Sequence, residues 1–155
     1  MIESYGRIFT TIQGYSELGM YDDALAEFDN LPTEPRGSLA ALEMRVMILI
    51  QAKRWEVALQ LSQEISGAFP QKPVGFIHAA FCLHELQRTE EARDTLIHGP
   101  ESLHTESSFH YNLACYECVL GHTEVARLHL ERGISIDKKL RGLALHDPDL
   151  ANLRL

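Results

Sequence analysis

The chain is 155 residues long, 45% hydrophobic, and carries 22 acidic against 14 basic residues for a formal net charge of -8. That length and apolar content suffice for one domain with a buried core, while the acidic balance opposes binding to nucleic-acid phosphates and to anionic membranes. The opening stretch Met1-Ile2-Glu3-Ser4-Tyr5-Gly6-Arg7 lacks the basic-then-apolar pattern of an export leader, and no apolar run approaches the ~18 residues of a membrane span. Cys82, Cys115 and Cys118 are an odd set for a disulfide framework. A reduced, cytoplasmic protein is the expectation.

The first apolar-periodic segment puts Ile8, Ile12 and Tyr15 on one helical face, breaks at Leu18-Gly19, and resumes with Ala24, Leu25, Phe28 and Leu31 ahead of Pro32 and Pro35. A second segment runs through Leu42 and Val46, breaks at Ala52-Lys53, resumes at Trp55-Glu56-Val57-Ala58 and Ser62, and meets Pro70 and Pro73. The third holds Phe76 and Ala80, breaks at Leu86-Gln87, resumes at Thr89-Glu90-Glu91-Ala92 and Leu96, and stops at Gly99-Pro100. The fourth holds His110 and Ala114, breaks at Leu120-Gly121, and resumes at Thr123-Glu124-Val125-Ala126 and Leu130. Ala24, Ala58, Ala92 and Ala126 share one spacing of 34 residues, each with an acid two positions before it.

A fixed period of this size outranks any element-by-element reading. Each unit reads as a helical hairpin. Proline ends the second helix because it lacks the amide donor and clashes with the preceding turn. Alanine recurs where the two helices cross, opposite Ile12, Val46, Ala80 and Ala114, because a methyl group permits a close approach. The pattern predicts an all-α chain forming a single domain over 1–155: four antiparallel hairpins at about 5–36, 39–70, 73–104 and 107–138, with turns near 19–21, 53–55, 87–89 and 121–123. The remaining stretch, 138–155, reads as a cap. Leu140, Leu143 and Ala144 fall on one side of a short helix, and Asp147-Pro148-Asp149 then opens a last turn through Leu150 and Leu153.

This register resembles the tetratricopeptide (TPR) repeat family, in the style of its small bacterial members, over roughly residues 5–138. The family's tryptophan-like position reads Ile8, Leu42, Phe76 and His110 here, its glycine position reads Ile12, Val46, Ala80 and Ala114, and its tyrosine position keeps only Tyr15. The resemblance implies a right-handed superhelical solenoid in which stacked hairpins share a nearest-neighbour core. It also implies that the first helix of each repeat lines a concave groove. The family's carboxylate clamp for acidic chaperone tails is missing, since its lysine, asparagine and arginine positions read Phe9, Gln13, Met44, Val74 and His78.

No motif for catalysis survives inspection. Cys115 and Cys118 form a C-x2-C pair that His78 and Cys82 could complete as a zinc set, but both lie mid-helix, where small buried thiols are ordinary packing. His84-Glu85 begins like a zinc-protease helix, yet the residue four after His84 is Arg88. His98, His104, His122 and His129 share no convergence. The expectation is no enzyme, no cofactor and no metal.

The groove register names Phe9, Gln13, Glu43, Met47, Ile50, Ile77, Phe81, His84, Tyr111 and Cys115 as partner-facing. Several are large apolar groups where a solvated face would be polar. The function expected is a scaffold or adaptor binding an apolar peptide or helix of a partner protein, anchored on Phe9, Met47, Phe81 and Tyr111, with weak salt dependence. A secretion- or assembly-type chaperone that shields an apolar segment is the alternative, and a metal or redox enzyme a distant third. The groove's other candidate occupants are the chain's own tail and a second copy in a homodimer.

Overall fold

The computed structural model describes residues 2–153, with side chains from Tyr5 onward; Met1 of the opening stretch and Arg154 and Leu155 of the expected cap lie outside the described residues. Ten α-helices follow in order: α1 Ile2–Glu17, α2 Tyr21–Glu27, α3 Thr33–Arg36, α4 Leu39–Gln51, α5 Trp55–Ala68, α6 Val74–Glu85, α7 Thr89–Ile97, α8 Ser107–Val119, α9 Thr123–Ile136 and α10 Leu140–Leu145. Short 3-10 turns cover Phe28–Asn30, Glu101–Thr105 and Pro148–Leu153. No strand occurs among the described residues. The fold is an all-α helical-repeat solenoid in which α1/α2, α4/α5, α6/α7 and α8/α9 are the hairpins.

All four hairpin turns close the same way. Gly19, Lys53, Gln87 and Gly121 are left-handed, with φ of 74°, 58°, 63° and 89°. After each, the next amide reaches back five residues: Met20 to the Tyr15 carbonyl, Arg54 to Leu49, Arg88 to Leu83 and His122 to Glu117, at 2.8–2.9 Å. This double closure satisfies carbonyls that a helix end leaves without partners. Glycine enters the left-handed region freely, whereas Lys53 and Gln87 hold it at a steric cost. The crossing residues are sealed: Ala24, Ala58, Ala92 and Ala126, and Ile12, Val46, Ala80 and Ala114 opposite them, are all fully buried.

The prolines act less uniformly than the sequence suggests. Pro35 lies inside α3, a single turn that tolerates it because a first-turn amide has no helical partner. Ser38 then caps α4 by accepting the Ala41 amide at 3.3 Å. Between the second and third hairpins the chain passes closely at Gly75, where a Cβ would lie 2.6 Å from the Ser66 amide nitrogen of α5. The second and third repeats therefore pack backbone to backbone.

The apolar core falls into two bodies. Ile12, Ala24, Phe28, Leu31, Ala41 and Ile48 form one, around the first hairpin. The other runs from Leu49 and Ala58 through α6–α9 to Ala144, Leu150 and Leu153 of the cap. Leu25 touches both.

Candidate functional site

The first helices of the repeats, α1, α4, α6 and α8, supply the groove residues named from the sequence, and the structure divides them into two sets. In the first set, Gln13 and Glu43 are exposed, Met47 is 41% exposed, and Phe9, Ile50 and Ile77 are half-buried. Two clefts lie here. One, of about 350 Å³, is lined by Gln13, Ser16, Glu17, Met44, Met47 and Gln51 between α1 and α4. The other, of about 290 Å³, is lined by Glu43, Val74, Ile77, His78, Glu106 and Ser108 where α4, α6 and α8 meet. Ser16 donates to the Gln51 side chain at 2.7 Å and bridges the walls of the first.

In the second set, the cap covers the wall. Tyr111 and Cys115 retain 7% and 4% of their exposure, so these two residues, expected to face a partner, are buried by the chain itself. Phe81 and His84, both half-buried, stand at the boundary. The cap turns inward after α10. The Pro148–Leu153 turn packs on α8 and α9, burying Leu150 and Leu153, while Leu143, expected to face inward, is 57% exposed.

A polar clasp fixes the cap in place. Asp147 accepts the Tyr111 hydroxyl at 2.6 Å and the Cys115 thiol at 3.7 Å. Its other oxygen accepts the Asp149 amide at 3.0 Å, which starts the last turn as the sequence predicts. Asp149 in turn receives His84 Nε2 at 2.8 Å. Since a carboxylate only accepts, His84 donates through Nε2, and its Nδ1 lies 2.9 Å from the Thr89 hydroxyl. The His84 ring also lies 4.9 Å from that of Tyr116. The clasp thus joins the cap to repeats three and four at once. Between the wall and the cap, a cleft of about 590 Å³ persists, lined among others by Phe81, Glu85, Asn112 and Leu143.

The chemistry of these groups is that of packing. Burial, aided by Glu85, pushes the Cys82 thiol up to about 11. Burial and the Asp147 and Asp149 charges push Cys115 higher still, and burial also raises Cys118. Nucleophilic and metal-binding cysteines need the opposite shift. The suggested set of His78, Cys82, Cys115 and Cys118 is not brought together. Among the described residues, the metal-type side chains that converge are Cys115, Asp147 and Asp149, which the clasp already engages.

Sequence reasoning also missed Glu117. It is buried between Arg93, 3.6 Å away, and His122, 3.4 Å away, and links the third hairpin to the fourth. Its only signal is an acid in an otherwise apolar helix, which periodicity alone cannot pair.

Two solved structures share this architecture. One is described as "MamA RS-1 ArsTM double mutant", with a TM-score of 0.69 at 14% identity, over 86% of this chain and 75% of that one. The other, "MamA MSR-1 C2", has a TM-score of 0.61 at 18% identity, over 81% of this chain and 72% of that one. Both are TPR-like, which places the chain among TPR-type helical-repeat folds. No family model and no curated protein matches the sequence.

Proposed function

We propose that this chain is a non-enzymatic scaffold that takes an apolar segment of a partner protein into the open part of its groove, along α1, α4 and α6. The observation that carries this reading is the interrupted strip. Met47 is exposed and Phe9, Ile50, Ile77 and Phe81 are half-buried along three repeats, whereas Tyr111 and Cys115 at the equivalent wall of the fourth are buried. An exposed Met beside half-buried apolar side chains is the kind of surface that serves association. Gln13 and Glu43 supply polar contacts at the margin. The buried, high-pKa thiols favour binding over catalysis.

The test uses short random peptides displayed on phage and selected on the immobilised full chain. Peptides so obtained should bind Met47→Ala about tenfold or more weakly, as expected for a hot-spot anchor, with circular dichroism and thermal midpoint unchanged. Met47 is preferred to Phe81 because Phe81 also packs on Trp55, with ring centroids 6.0 Å apart. Undiminished binding to both Met47→Ala and Phe9→Ala would move the interaction off the groove.

A further inference from the structure

The groove clefts hold carboxylates without cations, whereas clefts elsewhere mix both signs. The two open clefts are lined by Glu17, Glu43 and Glu106 and by no lysine or arginine. The cleft beside the cap adds Glu85, Asp147 and Asp149, again with no lysine or arginine. Cations line clefts elsewhere: Arg45 and Arg54 between α4 and α5, and Lys138 and Arg141 at the α9–cap junction.

The arginine ion pairs lie outside the groove clefts. Arg54 pairs with Asp22, Arg88 with Glu91, and Arg93 with Asp94 and Glu117. Among the described residues, Glu17, Glu43, Glu85 and Glu106 pair with no cation. Glu17 has only the Gln13 amide, at 3.2 Å. His78 lies in the same cleft as Glu43 and Glu106, but burial lowers its pKa, so it brings no charge near neutral pH.

Carboxylates along a concave wall reinforce one another. The low-dielectric protein beneath them directs their field into the groove. We infer that the partner segment is basic as well as apolar: its apolar side chains rest on Met47 and Ile77, and lysine or arginine beside them meets Glu43, Glu106 and Glu17. The inference rests on the groove reading above and narrows it. Acidic segments are repelled, and a neutral apolar segment leaves the carboxylates partly desolvated without compensation. Salt dependence then becomes a mark of the groove itself, in place of the weak dependence expected from apolar burial alone.

The experiment sorts the displayed peptides by charge and measures labelled examples by fluorescence anisotropy. Selected peptides should be enriched in lysine or arginine next to apolar residues, and their affinity should fall as salt is raised. Glu43→Gln with Glu106→Gln should weaken them by about tenfold, in the range of paired interfacial charges, while a control Glu131→Gln on the outer surface leaves affinity unchanged. Peptides that lose affinity for Met47→Ala but ignore the double glutamine variant would sink the basic-segment inference and leave the groove reading standing. Peptides indifferent to both Met47→Ala and Phe9→Ala would sink both. A dimer of the chain itself that dissociates on Met47→Ala would overturn the inference by making a second copy the occupant.

Discussion

Helices α4 and α8 are the same length and hold the same position in their repeats, yet four of the thirteen residues of α4 are buried against nine of the thirteen in α8. The difference comes from what packs on each helix: besides its hairpin partner, α8 meets the Glu101–Thr105 turn and the cap. Over α8 the cap inserts Leu150 and Leu153 and binds Tyr111, Cys115 and His84 through two aspartates. In the last repeat the groove wall holds a short 3-10 turn of the chain itself, whereas Met47 in the second repeat is exposed.

The largest test of this contrast is to remove one apolar group from each half. Leu150→Ala should destabilise by about 2–4 kcal/mol, since a buried leucine leaves both lost transfer energy and a cavity. Met47→Ala should cost less than about 1 kcal/mol, because its side chain is already substantially solvated. Urea unfolding of the two variants measures both. Equal costs would mean that the open wall is structural after all.

An intermediate effect probes what the halves share. Ala58→Leu and Ala92→Leu each force a larger side chain into a sealed hairpin crossing and should cost about 1–3 kcal/mol. A thermal midpoint unchanged in both would contradict the crossings described above.

The smallest effect concerns pH. Burial lowers His78 on the open wall, and burial with His110 nearby lowers His129 in the sealed half. As pH falls below the ordinary value of 6.5, the unfolded chain binds protons that the folded chain resists. Stability is complete above that value and declines as pH drops toward the depressed folded values. The thermal midpoint should fall on acidification through this range, and His78→Gln and His129→Gln should each flatten the slope. A slope untouched by either would assign the acid sensitivity to other groups.

Much of the scaffold was legible in the sequence because its causes are local and repeated. Four alanines at one spacing, a break five residues before each, and prolines after the second helices leave one consistent reading, and the turns fall where that reading puts them. The cap's last turn was legible for the same reason, since Asp147-Pro148-Asp149 carries its own start signal. Its destination was not. The contacts from Asp147 to Tyr111 and from Asp149 to His84 span 36 and 65 residues, and no period connects them. The left-handed Lys53 and Gln87 were hidden too, because neither residue type marks that conformation. The groove register marked Tyr111 and Cys115 as inner-wall residues without revealing that the chain covers them itself.

The division of the core into two bodies joined through Leu25 has a mechanical consequence. The clasp from the cap to α6 ties the last two hairpins together, while α4 sets Ala41 and Ile48 in the first body and Leu49 in the second, so a rearrangement of either close-packed body is transmitted to the other through that one helix.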